Sequence, residues 1–399
     1  MTAGGVPESL SRRRIESIDA VRGLAMVLMA LDHVRLFFYE GTLIYSPTDL
    51  DETRAATFLT RWVTNLCAPA FVFLAGMGAY LRAERDPSRA STARYLAVRG
   101  LWLIVLELTV VRWCWYFNLS YDEVEGGILW MIGWTMIAMS GLIFLPRRAI
   151  GLLAAAVIVL QHLWESVPDE AWGRWSWLWV ILYSPETLEP WPGVDFDPVY
   201  TLLPWIGVLA AGWWCGPWMR LAREDRRRRL FHAGALLLAA FLLLRAANVY
   251  GDPRPWSAGR SDWFALLSFL NCTKYPASLL FLMMTLGATL LLLAWLDRPP
   301  GPMQNRMAVF GRTPLFYYIL HLLAIHALAV AFSLLAHGSA VWLFESPPWT
   351  KHRAPIYPAG YGVSLPAVYL IWALVVAILY PCCRWFSGVR RPAWLRRLF

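Results

Sequence analysis

Several ionisable residues lie within the first long apolar stretch of the chain, residues 18–39, and two of them have the types and spacing to carry out chemistry together. Arg22 and His33 are eleven positions apart. Eleven residues make about three helical turns, so both side chains lie on one face of a helix, roughly 16 Å apart along its axis. Asp19 and Asp32 accompany them. Because an ionisable group inside a membrane is costly, such a group usually marks a functional site.

These residue types suit the two ends of a long, thin acyl donor. A guanidinium binds an anionic head group, and an imidazole can accept a proton from a hydroxyl or an amine at neutral pH. Coenzyme A thioesters have this shape. We therefore predict that Arg22 and Asp19 bind acyl-CoA and that His33 and Asp32 are catalytic. Adjacent residues of a helix point in different directions, so Asp32 is not expected to hold His33 directly.

The same four residues also permit a structural interpretation, in which they pair with other helices and only satisfy one another. A functional role is favoured for these four residues, because charged side chains in the middle of a bilayer are rare and usually functional. Glu107 and Arg112 are candidates for the acceptor site or its wall, but a structural role as ion-pair partners of the first helix is favoured over catalysis for both. His321, at mid-depth in a later apolar segment, is expected at most to form a wall of the site.

Residues 166–198 and 248–274, two long segments between apolar stretches, contain candidates for binding the acceptor, and each group could instead have a structural role. The candidates in and next to the second segment line an acceptor pocket or cap helix ends, and the sequence favours neither interpretation; they are Asn248, Tyr250, Asp252, Asn271 and Lys274. The second group forms an interfacial aromatic belt or a carbohydrate-stacking platform, with the belt favoured; it comprises Trp172, Trp175, Trp177, Trp179 and Trp191.

Composition indicates that lipid surrounds the elements that position these residues. The 399-residue chain is 58% hydrophobic and only 16% charged, whereas soluble domains carry about a quarter charged residues. We predict one transmembrane domain over residues 1–399, with residues 1–16 as a short cytoplasmic segment. The net charge of +9 falls in short clusters between apolar runs, as in membrane-anchoring loops, so nucleic acid is not an expected partner. The His and Cys spacing predicts no metal site, and the six cysteines are expected to be free thiols.

The predicted fold class is an all-α polytopic membrane protein with about ten transmembrane helices. A span needs roughly 20 mostly apolar residues. Ten segments qualify, at residues 18–39, 57–82, 95–117, 127–145, 148–165, 199–218, 230–247, 275–297, 311–335 and 363–386.

The loops between these segments alternate in charge, and this alternation predicts their orientation. Arginines cluster in every second loop, starting with Arg12, Arg13 and Arg14 and ending with residues 390–397, whereas the other loops are acidic or aromatic. By the positive-inside rule the basic set is cytoplasmic, which places both termini inside. Residues 40–56, 166–198, 248–274 and 336–362 are then outside.

Several motifs resemble a large family of bacterial membrane proteins that is similar to the catalytic domain of the lysosomal heparan-alpha-glucosaminide N-acetyltransferase. They lie at residues 17–33, 71–76, 132–134, 203–207, 273–280 and 311–316, and the likeness covers nearly the whole chain. From these motifs we add Arg312 to the predicted acyl-CoA-binding residues and Trp134 and Trp205 to the predicted site walls. The spacing of Arg22 and His33 matches an Arg and His pair that recurs in related transmembrane acyltransferases.

The resemblance implies transfer of an acetyl or other acyl group from cytoplasmic acyl-CoA to an acceptor on the far side of the membrane. We predict that this acceptor is an extracytoplasmic sugar or glycan and that the chain is a multi-pass protein of the cell (inner) membrane. Heparan-type enzymes use a histidine in the loop after the first core helix, yet no histidine occurs here between His33 and His162. His33 then takes that role, or the mechanism differs. A transporter or flippase and an inactive scaffold are the competing interpretations, and homo-oligomerisation is left open.

Overall fold

The computed structural model describes residues 15–86, 88–164, 167–259, 261–345 and 357–389, and helices dominate it. Helices lie at all ten segments that the sequence predicts as spans, and shorter helices occur between them. In chain order they are α1 (Glu16–Phe38), α2 (Ala55–Thr64), α3 (Cys67–Ala83), α4 (Arg89–Leu106), α5 (Arg112–Tyr116), α6 (Ile128–Leu142), α7 (Arg147–Leu160), α8 (Ser176–Leu182), α9 (Leu202–Cys215), α10 (Arg223–Ala247), α11 (Asp262–Leu270), α12 (Leu279–Leu296), α13 (Pro302–Gly311), α14 (Pro314–His337), α15 (Trp342–Glu345) and α16 (Leu365–Gly388).

Six helical stretches of the described chain are long and apolar enough to cross a membrane. The first joins α2 and α3 across a turn at residues 65–66, and the second continues α7 by one 3₁₀ turn. The six are Ala55–Ala83, Arg147–Trp164, Arg223–Ala247, Leu279–Leu296, Pro314–His337 and Leu365–Gly388. The predicted number of ten crossings is therefore not reached by length and composition alone.

Three of the four remaining predicted spans, those at α1, α6 and α9, fall short for two physical reasons. Helix α1 has 23 residues, enough for a span, but it contains the charged residues of the candidate site, including Asp19, Arg22, Asp32 and Arg35. Helices α6 and α9 are apolar but have only 15 and 14 residues. At 1.5 Å per residue they are about 22 Å long, less than the hydrocarbon thickness of about 30 Å.

A small sheet departs from the predicted all-α fold. Strands β1 (Glu123–Glu125), β2 (Leu188–Trp191) and β3 (Val194–Asp197) form it in the order β1-β3-β2, with β1 parallel and β2 antiparallel to β3. The sheet joins two loops that the sequence places on the same side. Its strands have only three or four residues, too few for an alternating pattern to be visible against the apolar background.

Helix α1 is the central helix of the bundle, in contact with α2, α3, α12, α13, α14 and α16. It approaches α13 closely where Gly23 and Gly311 face each other. A Cβ atom on Gly23 would collide with the carbonyl oxygen of Met307, and one on Gly311 with that of Asp19. The absence of side chains at these two positions lets the backbones touch, and this brings α13 next to the charged half of α1.

The helix formed by α4 and α5 contains a π-helical turn at Glu107–Val111. The chain remains helical from Arg89 to Tyr116, since α4 ends at Leu106 and α5 begins at Arg112. Single π-helical turns of this kind often lie at functional sites. Here the turn lies immediately before the residues of α5 that approach α1 and α14.

Candidate functional site

Arg22 lies where α1 crosses α13, and its guanidinium bonds to both elements. Its Nη1 donates to the Gly311 carbonyl oxygen at 3.1 Å and lies 3.4 Å from Asp19 Oδ1. Arg312 Nε approaches the other oxygen of Asp19 at 3.8 Å. The buried carboxylate of Asp19 therefore holds two guanidinium groups side by side, as the structural interpretation predicts for this residue.

The two guanidiniums open onto a cavity of about 340 Å³ beside α1. Four arginines line it, Arg22, Arg82, Arg99 and Arg312, and the described residues around it include no carboxylate. Apolar side chains form most of the remaining wall; they include Met26, Met29, Phe71, Leu74, Leu103, Ile132 and Met136.

This arginine-lined cavity has an open end and a buried end. The side chains of Arg22 and Arg312 are 20% and 37% exposed, so the cationic end reaches the surface. Met29, Leu129 and Tyr318, which also line the cavity, are buried. Met29 precedes His33 by one helical turn, and the Tyr318 ring lies 5.5 Å from that of His321. The cavity therefore runs from a cationic mouth to buried residues that neighbour His33 and His321, although neither histidine is among its lining residues.

His33 contacts a second histidine rather than a carboxylate. Its Nδ1 lies 2.7 Å from Nε2 of the fully buried His321, whose Nδ1 lies 3.0 Å from the Tyr317 carbonyl oxygen. The ring of Trp115, from α5, meets the His33 ring edge-on with centroids 4.8 Å apart. Three helices, α1, α5 and α14, thus fix the position of the imidazole.

Asp32 is engaged by arginines. Its Oδ1 accepts from Arg35 Nη2 at 3.0 Å, and its Oδ2 lies 3.7 Å from Nη1 of Arg61 on α2. Within the described residues Asp32 therefore bonds Arg35 rather than His33, in agreement with the helix geometry. Lys274 also acts electrostatically on both Asp32 and His33.

Residues 14–247 match the sequence profile of a family described as Heparan-alpha-glucosaminide N-acetyltransferase, catalytic. The match covers more than half of the chain and includes Arg22, His33, Arg82 and Arg99. The chain belongs to this family. It is a multi-pass membrane protein of a transmembrane acetyltransferase family. No curated protein matches the chain.

Membership of the heparan-alpha-glucosaminide N-acetyltransferase family rests on the first part of the chain. The match to the family profile ends at residue 247, whereas the motifs on which the resemblance was based extend to residue 316. Arg312 and His321 therefore lie beyond the match, and their placement beside Arg22 and His33 is seen only in the structure.

Within the described residues, Glu107 and Arg112 bond to nearby backbone groups and no ion pair joins them to α1, so the predicted ion pairs with the first helix are not found. Glu107 Oε2 accepts from Leu129 N at 2.9 Å and so caps the start of α6. Arg112 donates to the carbonyl oxygens of Asn118 and Ser120 in the loop before β1, and to that of Glu123, the first residue of β1. Both side chains satisfy groups left open where a helix begins or a loop turns.

The two predicted tryptophan walls lie in different surroundings. Trp134 is 41% exposed on α6 and is not among the residues that line the arginine-lined cavity. Trp205 is buried, and its ring packs against Tyr200 at 5.6 Å. Of the tryptophans near the outer loops, Trp172 and Trp179 stack on each other at 4.4 Å, while Trp175, Trp177 and Trp191 are exposed.

Three of the predicted acceptor residues have structural contacts. The Asn248 side chain bonds both the N–H and the carbonyl oxygen of Trp256, and Tyr250 donates to the carbonyl oxygen of Val159. Asp252 accepts from Thr273 N at 2.8 Å and from the hydroxyls of Thr273 and Ser278. These contacts favour the capping interpretation for these three residues.

A second cavity, of about 440 Å³, lies at the other end of α1. Its lining is mainly polar and includes Asn271, whose side chain donates to the carbonyl oxygen of Thr48 at 3.0 Å. The other lining residues are Ser46, Thr48, Asp49, Leu50, Arg245, Arg254, Pro255, Ser257, Phe264 and Ser268. Lys274, three residues after Asn271, does not line this cavity and lies over the rings of Tyr200 and Tyr275.

Several residues of the site were not predicted from the sequence. Arg61 and Arg99 lie inside predicted spans, and as intramembrane charges they indicate a functional site in the same way as Arg22 does. Trp115 and Tyr318 carry no comparable signal, because aromatic residues are common throughout this chain. Their proximity to the histidines depends on the packing of α5 and α14 against α1.

Proposed function

We propose that this protein is an acyltransferase that moves an acetyl or other acyl group from cytoplasmic acyl-CoA to a hydroxyl or amine of an extracytoplasmic carbohydrate. The observation that carries the proposal is the arginine-lined cavity, whose buried end lies one helical turn from His33. Membership of an acetyltransferase family supports the same class of reaction.

The chemistry of the arginine-lined cavity fits an acyl-CoA. Guanidinium groups bind phosphates through paired, charge-assisted hydrogen bonds, and four of them line this cavity with no carboxylate among its described lining residues. The apolar wall beyond them suits an uncharged pantetheine arm and a short acyl group. The basic loops at this end support donor entry from the cytoplasm.

His33 is the proposed general base. The nucleophilic oxygen or nitrogen of the acceptor forms a bond to the acyl carbonyl carbon, and the bond from that carbon to the CoA sulfur breaks. His33 takes the proton that the acceptor loses and returns it to the departing thiolate. Protons and electron pairs therefore balance between the donor, the acceptor and this one side chain.

The polar cavity at the opposite end of α1 supports entry of the acceptor from the other side. Its hydroxyl, amide and charged groups, with the ring of Phe264, are the kinds of groups that bind a sugar. Donor and acceptor then approach His33 from opposite ends of one helix. Asp32, Arg35 and Arg61 lie beside this path and fix the end of α1.

A cavity between Arg22 and the histidines argues against the inactive scaffold, for which the two residues would have only buried partners. A transporter or flippase would need a path that opens alternately to both sides and would bind its cargo without chemical change. Release of free CoA on addition of a carbohydrate acceptor therefore separates the enzyme from the transporter.

The experiment measures donor binding and transfer with the same purified protein. Isothermal titration in detergent should show binding of acetyl-CoA that weakens in Arg22→Ala and in Arg99→Ala. Arg223→Ala is the matched control, because Arg223 is exposed at the start of α10 and does not line the cavity. Absence of CoA binding by the folded protein, or equal weakening in all three variants, would refute the proposed donor site.

A further inference from the structure

A chain of two hydrogen bonds runs through His33, His321 and the backbone of α14. Nδ1 of His33 lies 2.7 Å from Nε2 of His321, and Nδ1 of His321 lies 3.0 Å from the carbonyl oxygen of Tyr317. His321 is fully buried. Its ring also stacks on that of Tyr317, with centroids 5.3 Å apart and planes 11° from parallel.

The Tyr317 carbonyl decides which nitrogen carries the hydrogen in each neutral ring. A carbonyl oxygen can only accept, so His321 must carry its hydrogen on Nδ1 to make this bond. Its Nε2 is then an acceptor, because a neutral imidazole has one donor and one acceptor nitrogen. His33 must therefore donate from Nδ1, and the lone pair of His33 lies on Nε2.

We propose that His321 is a positioning residue that holds His33 in the Nδ1–H tautomer and so keeps Nε2 available as the base. This inference rests on the proposed function for its consequence, although the tautomer itself follows from the contacts alone. In this arrangement His321 serves the role that a carboxylate serves in a Ser-His-Asp triad, where the orienting group fixes the tautomer of the base. Here the orienting group is an imidazole, itself oriented by a backbone carbonyl.

The surroundings of His33 show why the neighbouring carboxylate does not take this role. Asp32 bonds Arg35 and lies near Arg61, so both of its oxygens face guanidinium groups. Trp115 meets the His33 ring by an aromatic contact. His321 is thus the side chain that bonds a ring nitrogen of His33 in the described structure.

His321 also stabilises the charged state through which His33 passes. When Nε2 of His33 takes the proton of the acceptor, the ring becomes an imidazolium and its Nδ1–H donates more strongly to His321 Nε2. No proton needs to move between the two histidines. Turnover therefore depends on a hydrogen-bond-accepting atom at the position of His321 Nε2. Binding of acyl-CoA at the arginines does not depend on that atom.

Two substitutions separate the two hydrogen bonds of His321. In His321→Gln the amide reaches about as far as Nε2 and can accept from His33, whereas in His321→Asn the shorter amide can bond the Tyr317 carbonyl but does not reach His33. We expect kcat to fall on the order of 100-fold in the Asn variant, with KM for acetyl-CoA little changed. The Gln variant should retain about tenfold more turnover than the Asn variant. His232→Asn, at an exposed histidine of α10, is the matched control.

A measurement on the native protein tests the tautomer without relying on activity. Nitrogen-15 NMR of histidine-labelled protein should show His33 protonated on Nδ1 and unprotonated on Nε2. The spectrum of His33→Gln identifies the signals of His33, because these signals are the ones that it lacks. An Nε2–H tautomer at His33, or equal kcat in the Gln and Asn variants of His321, would overturn the inference. Lack of transfer with a correct tautomer would count against the proposed function instead.

Discussion

Charged residues of α1 fall into two classes according to their contacts. Asp19 and Asp32 each lie between two arginines and hold helices together. Arg22 lines the arginine-lined cavity and also donates to the Gly311 carbonyl oxygen of α13. His33 forms its side-chain hydrogen bond with another imidazole, that of His321. The structural interpretation therefore applies to Asp19 and Asp32, whereas the functional interpretation stays a prediction for Arg22 and His33.

His33→Ala and His33→Gln should lower turnover by on the order of 100-fold or more, because the acceptor loses its general base. Binding of acetyl-CoA should remain near that of the native protein, since Arg22 lies about three turns away along α1. A transfer assay run in parallel with titration of the donor checks both statements. Near-normal transfer by folded His33→Ala would remove His33 from the mechanism.

Asp32→Asn should destabilise the protein by on the order of 3 kcal/mol, because it leaves two buried guanidiniums without their carboxylate. The side chains of Arg35 and Arg61 are only 3% and 12% exposed, so water cannot replace the lost partner. Thermal unfolding in detergent should show a lower Tm. Asp225→Asn, at an exposed position of α10, should leave the Tm unchanged, and equal Tm values for both variants would contradict this role.

The sequence predicts the helix-one residues of the site because their types and spacing lie in one segment. Residues from other elements are harder to find, since Arg82, Arg99 and Tyr318 reach the same cavity from α3, α4 and α14. Which helices neighbour one another depends on contacts between residues far apart in the chain. His321 was expected only as a wall, because its bond to His33 joins residues 288 positions apart.

At the scale of the elements, the positions of long helices follow from composition, whereas irregular pieces do not. Each predicted apolar segment coincides with a helix, because a run of roughly 20 apolar residues has few other ways to satisfy its backbone in lipid. Helices α8, α11 and α13 and the three strands lie in segments predicted as loops. Their shortness and mixed composition give no period long enough to recognise.

Glycines of α3 show that two similar residues can have opposite uses. A Cβ atom on Gly76 would meet the carbonyl oxygen of Leu209 on α9, as expected for close helix packing. A Cβ atom on Gly78 would meet nothing within 4 Å, and Gly78 lines the arginine-lined cavity. The two glycines differ because residues two apart face different sides of a helix.

Gly78→Leu should therefore obstruct the arginine-lined cavity without disturbing the fold. The leucine side chain would project into the 340 Å³ space and should weaken binding of acetyl-CoA about tenfold or more, equivalent to about 1.4 kcal/mol. Gly141→Leu is the matched control, since Gly141 is an exposed helical glycine whose added Cβ also meets nothing. Unchanged donor affinity in folded Gly78→Leu would show that the donor binds elsewhere.

On the scale of the whole molecule, the two cavities lie at opposite ends of α1, and only their assignment to the two sides of the membrane rests on the loop charges. The basic clusters at residues 12–14 and 390–397 lie outside the described residues, so the position of both termini stays a prediction. Arg82 and Arg312, which adjoin two of the other basic loops, line the same cavity as Arg22.

Cysteine labelling should find residue 185 outside and residue 225 inside, because they belong to loops of opposite charge character. Both positions are exposed. Five of the six native cysteines are buried, and burial raises the pKa of the Cys272 thiol to about 12, so it forms little reactive thiolate. Pro185→Cys and Asp225→Cys in a Cys382→Ser background should thus react with a membrane-impermeant maleimide from opposite sides. Reaction of both from one side would contradict the topology.

The π-helical turn at Glu107–Val111 makes the length of its helix as important as its composition. Such a turn holds one residue more than an α-helical turn, so it rotates every later side chain by about 100° around the axis. Trp115 and Arg112 follow it. Trp115 contacts the His33 ring, and Arg112 donates to the carbonyl oxygen of Glu123, the first residue of β1. Deleting one residue here would restore a regular helix and turn both side chains away from these contacts. An alanine scan of this segment would miss that dependence, whereas a single deletion would expose it.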